Sequence, residues 1–277
     1  VIELRLDYPL PALLKAAGLS RSTFYYQAKV LEAGDRYAGL KTRIRAIYER
    51  HKGRYGYRRI TAALCHAGEA VNHKTVQRLM QGLGLKSLVR PKKYRSYRGQ
   101  LAAAPNLLNR QFAASGPNQK WVTDVTEFNV QGDKLYLSPV MDLYNGEIVA
   151  YEMLERPVFP LVSRMLKKAL ARLSDRDRPL LHSDQGWQYQ MPAYRRQLID
   201  HGLKQSMSRK GNCLDNAAME SFFGTLKSEF FYLNKFASIK QLQQGLHRYI
   251  HYYNHHRIKL KLKGLSPVQY RIQALSS

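Results

Sequence analysis

The chain has 277 residues, more than one average domain needs, and 45 Lys and Arg against 20 Asp and Glu give it a formal charge of +25 at pH 7. That excess implies a polyanionic partner and strongly salt-dependent binding. Two distant cysteines, Cys65 and Cys213, exclude a disulfide framework and a Cys-x-x-Cys zinc site, and no apolar run approaches the roughly 18 residues that cross a bilayer. With no signal-peptide pattern at its start, the expectation is a soluble cytoplasmic protein with no membrane partner.

Residues 10 to 29 read as a short apolar helix, a break at Gly18 and a second helix opened by Ser20, a helix-turn-helix within residues 1–35. Arg21, Ser22 and Thr23 fall at the start of the second helix, where such motifs touch bases or phosphates. A second helix-turn-helix-like unit spans residues 36–88. There Ile60, Ala63 and Leu64 mark one helix, Gly68 breaks it, and Asn72 caps another with an apolar stripe at Val76, Leu79, Met80 and Leu83. Its opposite face carries His73, Lys74, Gln77 and Arg78, candidates for DNA contact. Residues 51–100 hold twelve Lys and Arg against a single acid, Glu69, so the front half of the chain, residues 1–120, reads as the main nucleic-acid grip. Residues 89–119 lose periodicity and read as a basic linker, in which Arg90, Lys92, Lys93, Arg95 and Arg98 alternate with tyrosines.

From Lys120 the pattern changes to strands. Trp121 to Val130, Lys134 to Tyr144 and Glu147 to Leu154 are separated by Gln131-Gly-Asp133 and by Asn145-Gly146, a hairpin signal. A helix from Pro157 to about Leu173, a short strand ending at Asp184, a helix near Met191 to His201 and a strand at Lys204 to Ser208 follow. A further helix carries the stripe Met219, Phe222, Phe223, Leu226 and Phe230. Three antiparallel strands followed by α-β-α-β-α is the order of a ribonuclease H-like α/β domain, a mixed five-stranded sheet flanked by helices, over residues 120–235. Residues 236–277 add a C-terminal helix and a basic tail.

Three acids stand out: Asp124 within the first strand, Asp184 just past the fourth, and Glu220 on the helix with the apolar stripe. Brought together they repel one another, so divalent ions are expected to hold them: two Mg²⁺, with Mn²⁺ as a substitute. Two such ions suit an in-line phosphodiester displacement. Asp142 is a candidate to support this site from behind, and Asp215 a candidate cap for the Glu220 helix.

Longer stretches carry a resemblance. Trp121-Val-Thr-Asp124, His182-Ser-Asp-Gln-Gly186, Ser208 to Asn216, Glu220-Ser-Phe-Phe-Gly-Thr-Leu-Lys227 and Tyr252-Tyr-Asn254 with Arg257 resemble the DDE transposases of bacterial insertion sequences. The subgroup is the one with a retroviral-integrase-like core whose transposase is made by frameshifting between two reading frames. The 35 residues between Asp184 and Glu220, and a cation seven after the glutamate, Lys227, match that pattern. The resemblance implies that Asp124, Asp184 and Glu220 are catalytic metal ligands, and that Lys227, Arg209 and Lys210 contact DNA. It implies cleavage of one strand at an element end, attack by the freed 3′ hydroxyl on DNA, and a circular intermediate without a covalent enzyme adduct. The implied partners are double-stranded terminal inverted repeats and target DNA, a second copy or more of the chain on DNA, and an upstream-frame product, fused or associated, that supplies a further helix-turn-helix and a leucine zipper. The implied location is the bacterial nucleoid. Two other readings compete: a DNA-binding repressor with an inactive nuclease core, and a tyrosine recombinase using His51-Lys-Gly-Arg54.

Overall fold

The computed structural model describes residues 1–32, 35–89, 105–209 and 216–275. Helices α1 (Leu10–Ala16) and α2 (Arg21–Glu32) open it. Gly18 between them takes a φ of +62°, and the Ser20 hydroxyl accepts the Thr23 N–H at 3.1 Å, which supplies the break and the cap read from the sequence. Helices α3 (Ala38–Arg50), α4 (Tyr57–His66) and α5 (His73–Gly82) then pack around Ile44, Ile60, Leu64, Val76 and Met80. Asn72 caps α5 by accepting the Lys74 N–H at 2.8 Å. Helix α3 carries no strong sequence signal of its own; its buried Ile44 completes the three-helix core.

The sheet contains β1 (Lys120–Thr123), β2 (Thr126–Val130), β3 (Asp133–Asp142), β4 (Ile148–Leu154), β5 (Leu180–Ser183) and β6 (Lys204–Met207). These are six segments where five strands were expected, because the first expected strand is interrupted. Both pieces pair with β3 in one unbroken antiparallel register, Thr123 opposite Val140 and Thr126 opposite Leu137. Strand β4 pairs with β3, β1 runs parallel to β5, and β5 runs parallel to β6, so the ribonuclease H-like order holds with β1 and β2 as one broken strand.

The interruption has a cause in the sequence. Continued through the gap, the register sets Asp124 opposite Pro139, a residue with no N–H to give to a ladder. The Pro139 carbonyl instead accepts the Thr123 hydroxyl at 2.9 Å. At the far end of β2, Gln131 and Gly132 make a two-residue turn with φ of +54° and +101°. The Asn145-Gly146 reversal is longer, running from Asp142 to Ile148, with Gly146 donating to the Asp142 carbonyl at 2.7 Å.

Helices α6 (Phe159–Leu170), α7 (Trp187–Gln190) and α8 (Pro192–Asp200) cover one face over Trp121, Val140 and Leu181. Helices α9 (Ala217–Glu229) and α10 (Ile239–His255) cover the other over Val122, Leu137 and Met141. The end of the expected linker is not free of this core: Leu108 is buried in it, and the Leu107 and Leu108 N–H groups donate to the Ser206 hydroxyl at 3.0 and 3.1 Å. The expected basic tail is also tied down, ending in α11 (Pro267–Leu275), whose Arg271 pairs with Asp142 at 2.6 Å. Among the described residues no helix is long and apolar enough to cross a membrane.

Candidate active site

Asp124 does not lie within a strand, as expected, but in the break between β1 and β2. Its carboxylate accepts the N–H of Val125 at 2.7 Å. Asp184 follows β5 directly and accepts the Gly186 N–H at 2.9 Å. Because Trp121 pairs with Leu181 and Val122 with His182, two more steps of the same parallel register bring Asp124 beside Asp184, about 4.8 Å apart between backbones. Side chains alternate along a strand, so Asp124 shares the face of Val122, which α9 covers. Both acids thus sit at the carboxyl edge of neighbouring parallel strands, where open α/β sheets place their ligands.

Helix α9 brings Glu220 to that edge. The candidate cap Asp215 lies outside the described residues. Asn216 holds the N-cap position without capping; its amide donates to the Thr123 carbonyl at 3.3 Å and ties the start of α9 to the end of β1. Met219, Phe222 and Leu226 anchor the helix in the core, leaving Glu220 and Lys227 half-buried on the adjoining face.

Electrostatics confirm that these groups feel one another. The Asp124 carboxyl is pushed up to about 8, first by burial, then by the negative charge of Asp184, with Glu220 adding to it and the Val125 N–H and Lys227 opposing. Burial also raises Asp184, against the Gly186 N–H. Three hard oxygen donors that cannot all ionise without a counter-cation are a donor set suited to a divalent ion. Among the described residues no three His, Cys, Asp or Glu side chains are already drawn into a metal cage.

The other acids have structural roles. Asp142 does not back the site, as expected, but lies at the opposite end of β1, facing Trp121, where it is buried with Arg271 and accepts the N–H groups of Asn118 and Tyr144. Glu127 pairs with Lys134 at the surface, 3.2 Å away.

Arg21, Ser22, Thr23, His73, Lys74, Arg78 and Arg209 are exposed and Gln77 is half-exposed. Ser22 and Thr23 bond to Ser20 at 3.0 and 2.7 Å, and Arg78 lies over the Tyr37 ring. Arg90, Lys92, Lys93, Arg95, Arg98 and Lys210 lie outside the described residues. His51 and Arg54 build no recombinase site: His51 stacks on Tyr55, and Arg54 donates to the Glu229 carbonyl at 3.0 Å.

Three features are not legible in the sequence. Tyr189 is fully buried with its hydroxyl 3.5 Å from that of Thr123, its phenol raised well above its usual range by burial and then by the charges of Asp184 and Asp124. His182 Nδ1 meets the Ser206 hydroxyl at 2.8 Å; because that hydroxyl already accepts the Leu107 and Leu108 N–H groups, its own proton is left for the imidazole. Third, Glu229 at the end of α9 is buried in a clasp. It accepts Arg257 at 2.8 and 2.7 Å, Arg59 at 3.2 Å and the Tyr249 hydroxyl at 3.1 Å. Burial would raise its carboxyl, but the Arg257 and Arg59 guanidiniums hold it below the usual value. The clasp joins the three-helix unit, through Arg54 and Arg59, to the helix bearing Glu220. No local pattern announces it, because its members are scattered over 200 residues of sequence.

Comparison with known proteins is decisive on family. Residues 114–213 and 220–275 each match a family described as an integrase core domain, and residues 35–93 match an HTH-like domain. Over 272 residues, 98% of the chain and 96% of the relative, it is 57% identical to the putative transposase InsK of insertion sequence element IS150 from Escherichia coli K12. The chain belongs to the integrase-core transposases of bacterial insertion sequences. This transposase is also 42% identical, over 98% of its length and 54% of the relative's, to a probable transposase of IS1353 from Shigella flexneri. With transposase InsF of IS3A from Escherichia coli it shares 36% identity over 83% of its own chain and 81% of the other. Membership makes this transposase a polynucleotidyl transferase acting in DNA transposition and disfavours both the repressor and the tyrosine recombinase.

Proposed function

We propose that Asp124, Asp184 and Glu220 form the DDE site of this transposase and hold two Mg²⁺ ions, or Mn²⁺ in their place. The observation that supports this most is the parallel register of β1 and β5, which sets two acids side by side under the helix that carries the third. When bound, the ions supply Lewis-acid activation of the attacking hydroxyl and charge stabilisation of the leaving 3′ oxygen. The chain's own residues do the rest. Lys227, about two turns along the same face of α9 as Glu220, offers a cation to a phosphate beside the acids. Tyr189, buried in the core layer on the other face of the sheet, stays a neutral phenol close enough to feel the charges of Asp184 and Asp124. Cleavage at an element end frees a 3′ hydroxyl, which attacks DNA directly.

DNA is held by α2 through Arg21, Ser22 and Thr23, by α5 through His73, Lys74, Gln77 and Arg78, by the basic segment from Arg90 to Arg98, and by Arg209 and Lys210. In this reading residues 1–120 hold DNA, and the acids of the 120–235 core cut and join it. Two element ends require at least two copies on DNA, with the upstream-frame product fused or associated. The nucleoid of the bacterial cytoplasm is where such a substrate lies. The test is incubation of the purified protein with Mg²⁺ and DNA bearing the element's own ends, with products resolved by strand. A nicked 3′ end followed by a joined product supports the proposal; a covalent DNA-protein adduct overturns it.

A further inference from the structure

Beside α9, on the flank away from Glu220 and Lys227, lies a cleft of about 660 Å³, within the range of sites that enclose small organic ligands. None of Asp124, Asp184, Glu220 or Lys227 lines it, and no carboxylate does among the described residues. Its walls combine cations, Arg59, Arg257, Lys259 and Lys261, with the aromatic rings of Phe112, Tyr144 and Tyr270. Tyr144 and Tyr270 meet at 5.4 Å between ring centroids, and the hydroxyl-bearing Ser221 and Thr225 form the α9 side.

One of its lining lysines is held in place. The Lys259 ammonium donates to the Gly146 carbonyl at 3.2 Å and rests 4.7 Å from the centroid of Tyr253. Gly146, at a φ of +69°, leaves the room that ammonium fills, since any Cβ there would overlap it. Burial, then the charges of Arg257 and Lys261, push the Lys259 ammonium down to about 7. Arg59 and Arg257 are offset by Glu229 behind them, but among the described residues no carboxylate lines the cleft beside Lys259 and Lys261, and that side of it favours an anionic occupant. Cations to neutralise phosphates, beside aromatic faces on which bases stack, are the combination that binds unpaired nucleotides. A duplex, with its bases already stacked on one another, cannot use the rings.

We infer that this cleft binds a short single-stranded segment of DNA, phosphates on Lys259 and Lys261 and a base against the Tyr144–Tyr270 pair, apart from the catalytic acids. The inference rests on DNA being the substrate, and its test needs no strand chemistry. The full chain is titrated in EDTA with a fluorescent single-stranded oligonucleotide and with the matching duplex, as wild type, as Tyr144→Ala and as Lys261→Gln. Lys261 is exposed, so its substitution keeps the fold even if Tyr144→Ala proves unstable. Each variant is expected to weaken single-strand binding about tenfold while duplex binding changes less than about twofold. Log-log salt plots for Lys261→Gln are expected to lose about 0.7 of slope on single strands. Equal weakening of both DNA forms, or no weakening of either, overturns the inference. Asp124→Asn is the separating control: it removes strand joining if the DDE reading is right and leaves the single-strand affinity alone, so the two ideas fail independently.

Discussion

Replacing Asp124 with Asn is expected to make the metal-free protein more stable at neutral pH. The Asp124 carboxyl stands at about 8 in the folded chain, against 3.8 for an unperturbed aspartate. The folded state therefore keeps a proton that the unfolded state releases between those two values. Stability must fall as pH rises through that window, by up to about 1.4 kcal/mol per pH unit, and level off above it. Taken in full, the loss at pH 7 is about 4 kcal/mol. Asp124 is only half-buried, and water at its open side leaves about 1–2 kcal/mol of this, equivalent to roughly 2–8 °C in Tm. Asparagine has the shape but no charge to bury, so it escapes the loss and also relieves Asp184. Thermal unfolding in EDTA, near pH 5 and near pH 8, reads the difference: the variant gains on the wild type as pH rises. Excess Mg²⁺ then stabilises the wild type and not the variant. A variant that is less stable near pH 8, or two profiles that run parallel, would refute the argument that the acids are crowded and await a cation.

Truncating Glu229 to Ala leaves Arg257 buried without its counter-ion and is expected to cost about 3–5 kcal/mol, read as a fall in Tm. Because the Glu229 carboxyl lies below its usual value, the clasp's contribution is complete above an ordinary glutamate pKa and is lost on acidification through the folded one; the wild type and Glu229→Ala should converge in Tm at low pH. Pro139→Ala returns an N–H opposite Asp124 and lets β1 and β2 zip into one strand. Its expected effect is a drop in strand transfer of at least about tenfold with Tm unchanged or raised, together with slowed amide exchange near residues 124 and 139; unchanged activity refutes the expectation that Asp124 must stand in a break of the ladder to work.

Much of this arrangement is legible in local pattern. Gly18 with Ser20, Asn72 with its stripe, and the strand-helix order from β3 to β6 follow from short-range periodicity and capping, and the structure has them where the residues put them. What stays hidden depends on pairing across the chain. The split at Asp124 comes from Pro139, fifteen residues away, and becomes visible only once the register is known. Asp142, expected to support the site, is a buried partner of Arg271 from the last helix. The matching stretch Tyr252-Tyr-Asn254 with Arg257 has no physical account in the sequence. In the fold, Asn254 bonds both the N–H and the carbonyl of Ile148 at 2.9 Å, Tyr252 meets His51, and Arg257 closes on Glu229.

The central claim is that three acids act as one site while other residues hold the DNA. The most direct measurement sets Asp124→Asn, Asp184→Asn and Glu220→Gln beside the wild type, with end-bearing DNA and Mg²⁺, scoring binding and strand joining on the same samples. Each variant is predicted to bind DNA within about twofold of the wild type and to lose cleavage and joining together, by at least about a thousandfold. A variant that still joins element ends at near wild-type rate contradicts the account.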